Sequence, residues 1–345
     1  MSDGDRSKAT EHEYDASPNV ASERRYEVTS LGEAMLRLSV GAGRKLATTD
    51  SLDLHVAGAE LNVCAALAGL GRRVGWFSRL PDNPLGQLIL SRARGWGVDT
   101  ERVVRTAEGR VGTYFIEFSS PPIPARVTYD RADSTFSKME AGEIDWARLL
   151  DTRVLHLTGI TPALGSNLQE VTRQAVARAR ERGLLVSLDV NYRSKLWQPA
   201  EAAEFLRPLM GEVDLLICGR NDARLLFGID TLNEQELLDE LRSHTDAPHV
   251  VITLGKEGAI AWSEGQVLRQ QAIPVTVIDR IGAGDAFAAG VIDGLLEADL
   301  EGGLSIGAAL AALTLAQHGD VISVGREEVG AVARLAGEPG TGVLR

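Results

Sequence analysis

The sequence predicts an α/β sandwich with a mostly parallel central sheet, and three observations support this class. Short β-rich runs alternate with longer segments of helical period, which is typical of parallel strands joined by crossover helices. The 345 residues are 44% hydrophobic and 24% charged, enough to bury one large core without disulfide or metal staples. Two stretches break the alternation and are typical of antiparallel hairpins that project from such a sandwich.

The regular elements follow one another in the order that a layered sheet requires. The predicted strands cover Val74 to Ser78, Val154 to Leu157, Leu184 to Leu188, Val213 to Ile217 and Val250 to Thr253. The predicted helices have apolar residues at helical spacing and suitable starting residues. They cover Ala59 to Leu70, Pro84 to Arg94, Asn167 to Arg180 and Ala283 to Leu296.

The two antiparallel stretches lie at about residues 35–56 and 111–130. The second contains TYFIEF, a proline-rich turn at Pro121 to Pro124, and RVTYD. Together they are expected to form a small β lid that can exclude water from a site. Separate surface hairpins are the alternative. The open edge of such a lid sheet predicts a homo-oligomer, a dimer or higher.

The start of the chain is polar and has no periodicity, so we interpret residues 1–25 as a disordered acidic tail and residues 26–345 as one domain. No apolar run approaches the roughly 20 residues that span a bilayer, and the start lacks the apolar core of a signal peptide. These features predict a cytoplasmic protein that does not enter the membrane.

Charge and cysteine content exclude several classes of function. The formal net charge of −12 argues against nucleic-acid binding, which depends on a basic surface that neutralises phosphates. Only Cys64 and Cys218 are present, without CxxC spacing, so neither a disulfide framework nor a zinc site is expected. His244 and His249 stand five apart and do not share a helical face, so metal ligation by histidine is not expected.

The stretch from Ile273 to Gly290, IPVTVIDRIGAGDAFAAG, is the most informative. It predicts a β-branched strand, a glycine turn and a helix of small residues. The amides of Gly282, Ala283, Gly284 and Asp285 are expected to point outward at the helix N-terminus, where they favour an anion such as a transferring phosphoryl group. A carboxylate beside that anion can accept a proton from an attacking hydroxyl. Asp285 is therefore the candidate base, and a capping aspartate is the alternative.

Two other glycine-loop classes fit this stretch poorly. GAGDAF lacks the Lys and Ser/Thr of a Walker A loop. A dinucleotide fingerprint needs a third glycine where Phe287 stands, and it lies early in a βαβ unit, whereas this loop lies late in the chain.

The loop resembles the late signature of the ribokinase-like (PfkB) carbohydrate kinases, close to DTxGAGDxFxxG. Here it reads DRIGAGDAF from Asp279 to Phe287, followed by Gly290, with Arg280 where the family usually has Thr. The resemblance covers about residues 27–329. It implies a ribokinase-like three-layer sandwich with a small β lid, ATP and Mg²⁺ as cofactors, and a potassium ion near Asp279.

Within that family, HLTGITPAL and DVNYRSKLW resemble the 2-keto-3-deoxygluconate kinases. Arg193 in the second stretch follows a buried strand, at the carboxyl end of the sheet where open α/β folds bind ligands. A guanidinium there can bind a carboxylate in bidentate fashion, as an acidic sugar requires and a neutral sugar does not. A surface arginine paired with a neighbouring acid is the alternative.

The resemblance also implies further sugar contacts. Arg131, in VTYDRADSTFS, is the second candidate for the acid group, and Asp130 stands where a second Tyr is often found. The other implied contacts are Gly58 and Asn62 in AGAELNVCAALAGLG, Tyr114, Tyr129, Ile160 through its backbone, and Asp320. Each of these taken singly is also compatible with packing or capping.

The nucleotide side is implied by two shorter stretches. In VVITLGKEGAIAW the residues Thr253, Gly255 and Gly258 form a turn that in this family borders the ATP phosphates and adenine, although the motif is also an ordinary hairpin. The family's NxxE aligns with Gly219 at the Asn and Asp222 at the Glu. Asp222 is therefore expected to organise magnesium through water.

The expected function is ATP-dependent phosphorylation of 2-keto-3-deoxygluconate to 2-keto-3-deoxy-6-phosphogluconate. A PfkB kinase for a neutral sugar such as fructose or ribose, or for another deoxy-keto acid, is the first alternative. A sugar-binding regulator that has lost turnover is the second. The choice between gluconate and galactonate epimers stays open.

Overall fold

Alternate residues of the central strands point to opposite faces of the sheet, and each face has its own buried core. The computed structural model describes residues 24–41, 43–118 and 125–335. Leu155 belongs to the same buried cluster as Leu206, whereas its neighbour Val154 belongs to the cluster that contains Leu61. Helices therefore cover both faces, and the predicted three-layer α/β sandwich is confirmed.

The elements are numbered in chain order within the described ranges. The strands are β1 (Tyr26–Leu31), β2 (Met35–Ser39), β3 (Asp53–Ala57), β4 (Val74–Phe77), β5 (Arg79–Pro81), β6 (Val104–Thr106), β7 (Thr113–Glu117), β8 (Arg126–Asp130), β9 (Thr152–Thr158), β10 (Leu185–Asp189), β11 (Leu215–Gly219), β12 (His249–Thr253), β13 (Ala259–Ser263) and β14 (Gln266–Gln270). The helices are α1 (Ala59–Gly69), α2 (Pro84–Gly95), α3 (Trp146–Leu149), α4 (Ser166–Glu181), α5 (Pro199–Met210), α6 (Arg220–Phe227), α7 (Glu234–Arg242), α8 (Ala283–Leu296), α9 (Leu300–Leu315) and α10 (Arg326–Leu335).

The central sheet has the strand order β14-β13-β12-β11-β10-β9-β1-β4. Neighbouring strands from β4 to β12 pair in parallel, while β12, β13 and β14 pair antiparallel at one edge. Helices α4 to α7 pack on one face, and α1, α2, α8, α9 and α10 on the other. The carboxyl ends of the parallel strands thus meet along one side of the sheet, where open α/β folds bind ligands.

All five predicted strands and all four predicted helices are present, with bounds within two residues of those expected. The strand predicted at the start of the Ile273 to Gly290 stretch is wrong, because β14 ends at Gln270 and no strand follows it in the described chain. Pro274 has no amide to offer a sheet. The amide of Ile278 instead donates to the carbonyl of Leu315 at 2.8 Å, so this segment runs along the end of α9.

The predicted lid is a separate four-stranded sheet with the order β3-β2-β7-β8. Each predicted stretch forms an antiparallel pair, but the two pairs join through a parallel pairing of β2 with β7. The lid is therefore one mixed sheet, not separate hairpins. The predicted turn at Pro121 to Pro124 lies outside the described residues.

The predicted tail falls mostly on residues 1–23, which also lie outside the described residues. Its last two residues contact the domain. Arg24 donates to the carbonyl of Leu150 at 3.1 Å, and Arg25 pairs with Asp99 and Glu101. Among the helices that the structure describes, none is long and apolar enough to cross a membrane.

Candidate active site

A cavity of about 440 Å³ lies between the carboxyl ends of the central strands and the lid. Most of the site residues predicted from the sequence line it. These are Gly58, Asn62, Tyr114, Tyr129, Arg131, Ile160, Arg193, Asp222, Thr253, Gly282, Gly284, Asp285 and Asp320. The fold thus brings together residues from both halves of the chain at the edge where ligand binding was expected.

Asp285 lies in the first turn of α8 and is 8% exposed. Its side chain does not cap the helix, so the capping alternative is not observed. The Nδ2 of Asn62 donates to Oδ2 at 2.7 Å, and the Nδ2 of Asn191 lies 3.5 Å from Oδ1. Burial raises the pKa of Asp285 to about 6, against the lowering effects of Asn62 and the Arg193 charge. A carboxylate tuned in this way suits proton acceptance near neutral pH.

The turn before α8 requires glycine at position 282. Gly282 has φ +88°, and a Cβ there would lie 2.1 Å from the carbonyl oxygen of Asp320. The first helical hydrogen bond runs from the amide of Ala286 to the carbonyl of Gly282. The amides of Ala283, Gly284 and Asp285 precede that bond, so they are free of helical partners and can bind an anion together with the helix dipole.

The two candidate carboxylate-binding arginines differ in their surroundings. Arg193 is exposed at the rim of the cavity and forms no ion pair with a carboxylate in the described ranges, so the paired-surface alternative is not observed. Arg131 is ion-paired with Glu33, whose Oε2 accepts from its Nε at 3.0 Å, and both side chains are largely buried. Of the two positive charges expected to face a ligand, one is already compensated by the protein.

Tyr114 and Tyr129 form an aromatic wall on the lid side of the cavity, with ring centroids 5.6 Å apart. The hydroxyl of Tyr114 donates to Oδ2 of Asp320 at 2.7 Å, while Arg37 donates to Oδ1 at 2.6 Å. Burial raises the pKa of Asp320 and that of Tyr114. Asp320 is therefore a buried acceptor whose orientation is set from the lid.

Gly58, Asn62 and Ile160 occupy the cavity floor, and their local contacts refine what the sequence implied. A Cβ on Gly58 would lie 2.1 Å from the carbonyl oxygen of Glu33, so close backbone packing is enough to require this glycine. Asn62 uses its Oδ1 to accept from the Gly58 amide at 3.2 Å and its Nδ2 to hold Asp285. The amide of Ile160 already donates to Thr158 at 3.1 Å.

A more apolar cleft of about 510 Å³ adjoins the cavity and shares Thr253, Arg280 and Gly284 with it. Gly255 and Gly258 line this cleft, as does Ala283. Gly258 has φ +101°, and a Cβ there would lie 2.0 Å from the carbonyl oxygen of Gln270. The turn predicted to border a nucleotide therefore requires glycine at position 258 and lines a second compartment.

Asp222 faces the cavity at the start of α6, where Tyr192 donates its amide to Oδ2 at 3.1 Å. Burial raises the pKa of this carboxyl. No group of three His, Cys, Asp or Glu in the described parts of the chain is arranged to hold a metal ion. Asp222 can therefore act on a metal as a single carboxylate through water, not as part of a dedicated protein cage.

Several site residues were missed by sequence reasoning. Asn191, at φ +38°, holds Asp285, and its neighbour Asp189 has a pKa raised to about 8 by burial and by the charge of Asp285. Glu60 is fully buried and accepts from Thr158 and Thr161, with a pKa raised to about 7 by burial. A signal for them was available in the sequence. Asp189 and Asn191 lie at the end of an apolar strand, and Glu60 is an acidic residue inside a mostly apolar helix.

Comparison with known proteins identifies relatives over almost the whole domain. Residues 26–325 match the family model described as pfkB family carbohydrate kinase. The chain is 37% identical to a 2-dehydro-3-deoxygalactonokinase of Haloferax volcanii, covering 89% of this chain and 96% of the relative. It is 31% identical to a 2-dehydro-3-deoxygluconokinase of Bacillus subtilis, covering 86% and 91%.

A solved structure gives the same result for the fold. The crystal structure of 2-dehydro-3-deoxygluconokinase from Thermotoga maritima superposes with a TM-score of 0.86 at 34% identity, covering 90% of this chain and 98% of that one. The family match, the identities and the superposition agree with the glycine turn and buried aspartate of the cavity, and the chain belongs to the pfkB family of carbohydrate kinases.

Proposed function

We propose that this chain transfers the γ-phosphoryl group of ATP to a hydroxyl of 2-keto-3-deoxygluconate, giving 2-keto-3-deoxy-6-phosphogluconate. One observation carries the proposal. A buried carboxylate, the open N-terminus of α8 and an exposed arginine without an acidic partner in the described chain all face one cavity. These are the groups that a base, a phosphate cradle and a carboxylate-binding site require.

In the proposed mechanism the protein mostly positions charge. Arg193 binds the sugar carboxylate, and the Arg131–Glu33 pair with Tyr129 limits where the sugar can lie. The far hydroxyl then points at Asp285, which takes its proton as the oxygen attacks the γ-phosphorus in line, and the bond from that phosphorus to the bridging oxygen breaks so that ADP leaves. The amides of Ala283, Gly284 and Asp285, with the dipole of α8, stabilise the charge that develops on the transferred group.

The nucleotide is proposed to occupy the apolar cleft, with its phosphates directed past Thr253 and Gly284 into the cavity. Gly255 and Gly258 let the backbone approach it closely. Asp222 would hold Mg²⁺ through water, which fits a site with one nearby carboxylate, since this ion keeps most of its waters and binds phosphates. When bound, Mg²⁺ would neutralise part of the negative charge on the ATP phosphates.

The galactonate epimer is a second candidate substrate, because the relative at 37% identity is named a 2-dehydro-3-deoxygalactonokinase. The test is ADP release with ATP and magnesium on 2-keto-3-deoxygluconate, its galactonate epimer, fructose and ribose in parallel. We expect turnover on one or both keto-deoxy acids and little on the neutral sugars. Preference for fructose or ribose would overturn the substrate, and no turnover on any of the four would favour a binding protein.

The pH dependence of kcat/KM tests the role of Asp285. The base acts only when deprotonated, and burial places its pKa at about 6. We therefore expect kcat/KM for the sugar to be maximal above pH 7 and to fall about tenfold per unit below pH 6. A profile measured at saturating magnesium and ATP that stays flat down to pH 5 would contradict this assignment.

A further inference from the structure

Arg37, on lid strand β2, is the one fully buried arginine side chain in the described chain that bridges two buried aspartates. Its guanidinium donates to Oδ1 of Asp320 at 2.6 Å and is ion-paired with Asp279. The exposure of the Arg37 side chain is 0%. A charge buried this deeply persists only when paired, so the three residues form one unit.

Both aspartates support the turn that precedes α8. Oδ1 of Asp279 accepts the amide of Ile281 at 3.1 Å, one residue before Gly282. The carbonyl of Asp320 packs where a Cβ of Gly282 would be. Arg37 is therefore linked, through Asp279 and Asp320, to the turn whose following amides are proposed to bind the transferred phosphoryl group.

The family resemblance implies a potassium ion near Asp279, and the residues around this side chain do not fit one. Oδ2 of Asp279 already accepts hydrogen bonds from the Arg37 guanidinium and from the amide of Gly319, the latter at 3.2 Å. The Asp279 side chain is 2% exposed, so an ion bound there would have to give up its water shell. The guanidinium itself disfavours a second positive charge nearby: after burial, it is the next cause of the lowered pKa of His55, while Asp320, Asp53 and Asp279 act in the opposite sense.

We propose that Arg37 supplies, as part of the chain, the positive charge that a monovalent cation would otherwise supply behind the phosphate cradle. This enzyme then needs no activating potassium ion. Because Arg37 sits on the lid and also holds Asp320, the same residue couples the lid to the cradle. It is a positioning residue, and the inference rests on the proposed phosphoryl transfer.

The first test compares the wild-type protein in potassium, sodium and tetramethylammonium chloride at equal ionic strength. ADP is quantified directly by chromatography so that no coupling enzyme responds to the salt. We expect kcat to agree within about twofold, whereas activation of about tenfold by potassium would overturn the inference. Thermal unfolding in the same salts is a readout without turnover, because a bound ion would raise Tm in potassium only.

The second test uses Arg37→Ala with potassium or millimolar guanidinium added back. We expect kcat to fall about 100-fold and to recover at least about tenfold with guanidinium, because the cation re-enters the vacated space. Arg72→Ala is the matched control. Arg72 is largely buried and pairs with Glu27, Asp293 and Glu297 away from the cavity. We therefore expect Arg72→Ala to lower Tm, and we expect added guanidinium to leave the kcat of that variant unchanged.

If added guanidinium restores the Tm of the Arg37→Ala variant but not its kcat, Arg37 has only a structural role and the proposal is overturned. If that variant does not fold, Arg37→Lys keeps the charge and is expected to retain most of kcat in all three salts. The salt series is run on whichever sugar supports turnover. It therefore still tests the potassium requirement if the proposed sugar is not the substrate. If no sugar supports turnover, the potassium-specific Tm shift decides.

Discussion

Replacing Asp285 with asparagine is expected to lower kcat by about 10³-fold or more, near the upper end of what a general base contributes. The substitution keeps the shape of the side chain, and the new amide oxygen can still accept from Asn62. It removes the ability to take a proton. Because the cavity and the amides of α8 are unchanged, we expect KM for the sugar and for ATP to change little.

The measurement is kcat and KM for both substrates, with folding checked by thermal unfolding. Asp293→Asn is a suitable control, because Asp293 is a buried aspartate on the same helix that pairs with Arg72 and Arg326 away from the cavity. That variant should lose stability and keep its kcat. A folded Asp285→Asn protein with normal turnover would remove the base from the mechanism.

Replacing Arg193 with methionine is expected to lower kcat/KM for the keto-deoxy acid by about 100-fold. The loss corresponds to about 2.7 kcal/mol, within the range for hydrogen bonds to a charged group. Activity on a neutral sugar, however weak, should hardly change when it is measured well above pH 7, where Asp285 stays deprotonated even without the Arg193 charge that lowers its pKa. Stability should also be unaffected, because Arg193 is exposed and forms no ion pair in the ranges that the structure covers.

The measurement compares kcat/KM on acid and neutral sugars for both proteins. Arg92→Met, an exposed arginine on α2 away from the cavity, is the control and should match the wild type on every sugar. An equal loss on acid and neutral sugars would show that Arg193 does not recognise a carboxylate.

Elements governed by local pattern were predictable from the sequence. The helix Ala283–Leu296 was predicted to the residue, because a glycine turn and a small-residue period both mark it. The strand before it was predicted wrongly, since β-branched residues at Val275, Val277 and Ile278 suit a strand only when a partner edge is available. Here the sheet ends at β14, and the segment bonds to α9 instead.

The site was predictable where a motif carries it and unpredictable where distant residues build it. Asp285 and Arg193 lie in recognisable stretches. Arg37 does not, because its partners Asp279 and Asp320 lie 242 and 283 residues further along the chain. The pairing of Arg131 with Glu33, 98 residues apart, was hidden for the same reason.

That buried pair also restricts how the specificity of this enzyme can change by mutation. Loss of either Glu33 or Arg131 singly would strand the other charge inside the protein, at a cost of about 3–5 kcal/mol, a large share of the stability of an ordinary domain. Arg193 carries no such penalty. Variants of this chain that evolve toward neutral sugars should therefore lose Arg193 first, and they should replace the residues at positions 33 and 131 together. Among such variants, position 193 would vary independently, while positions 33 and 131 would vary as a pair.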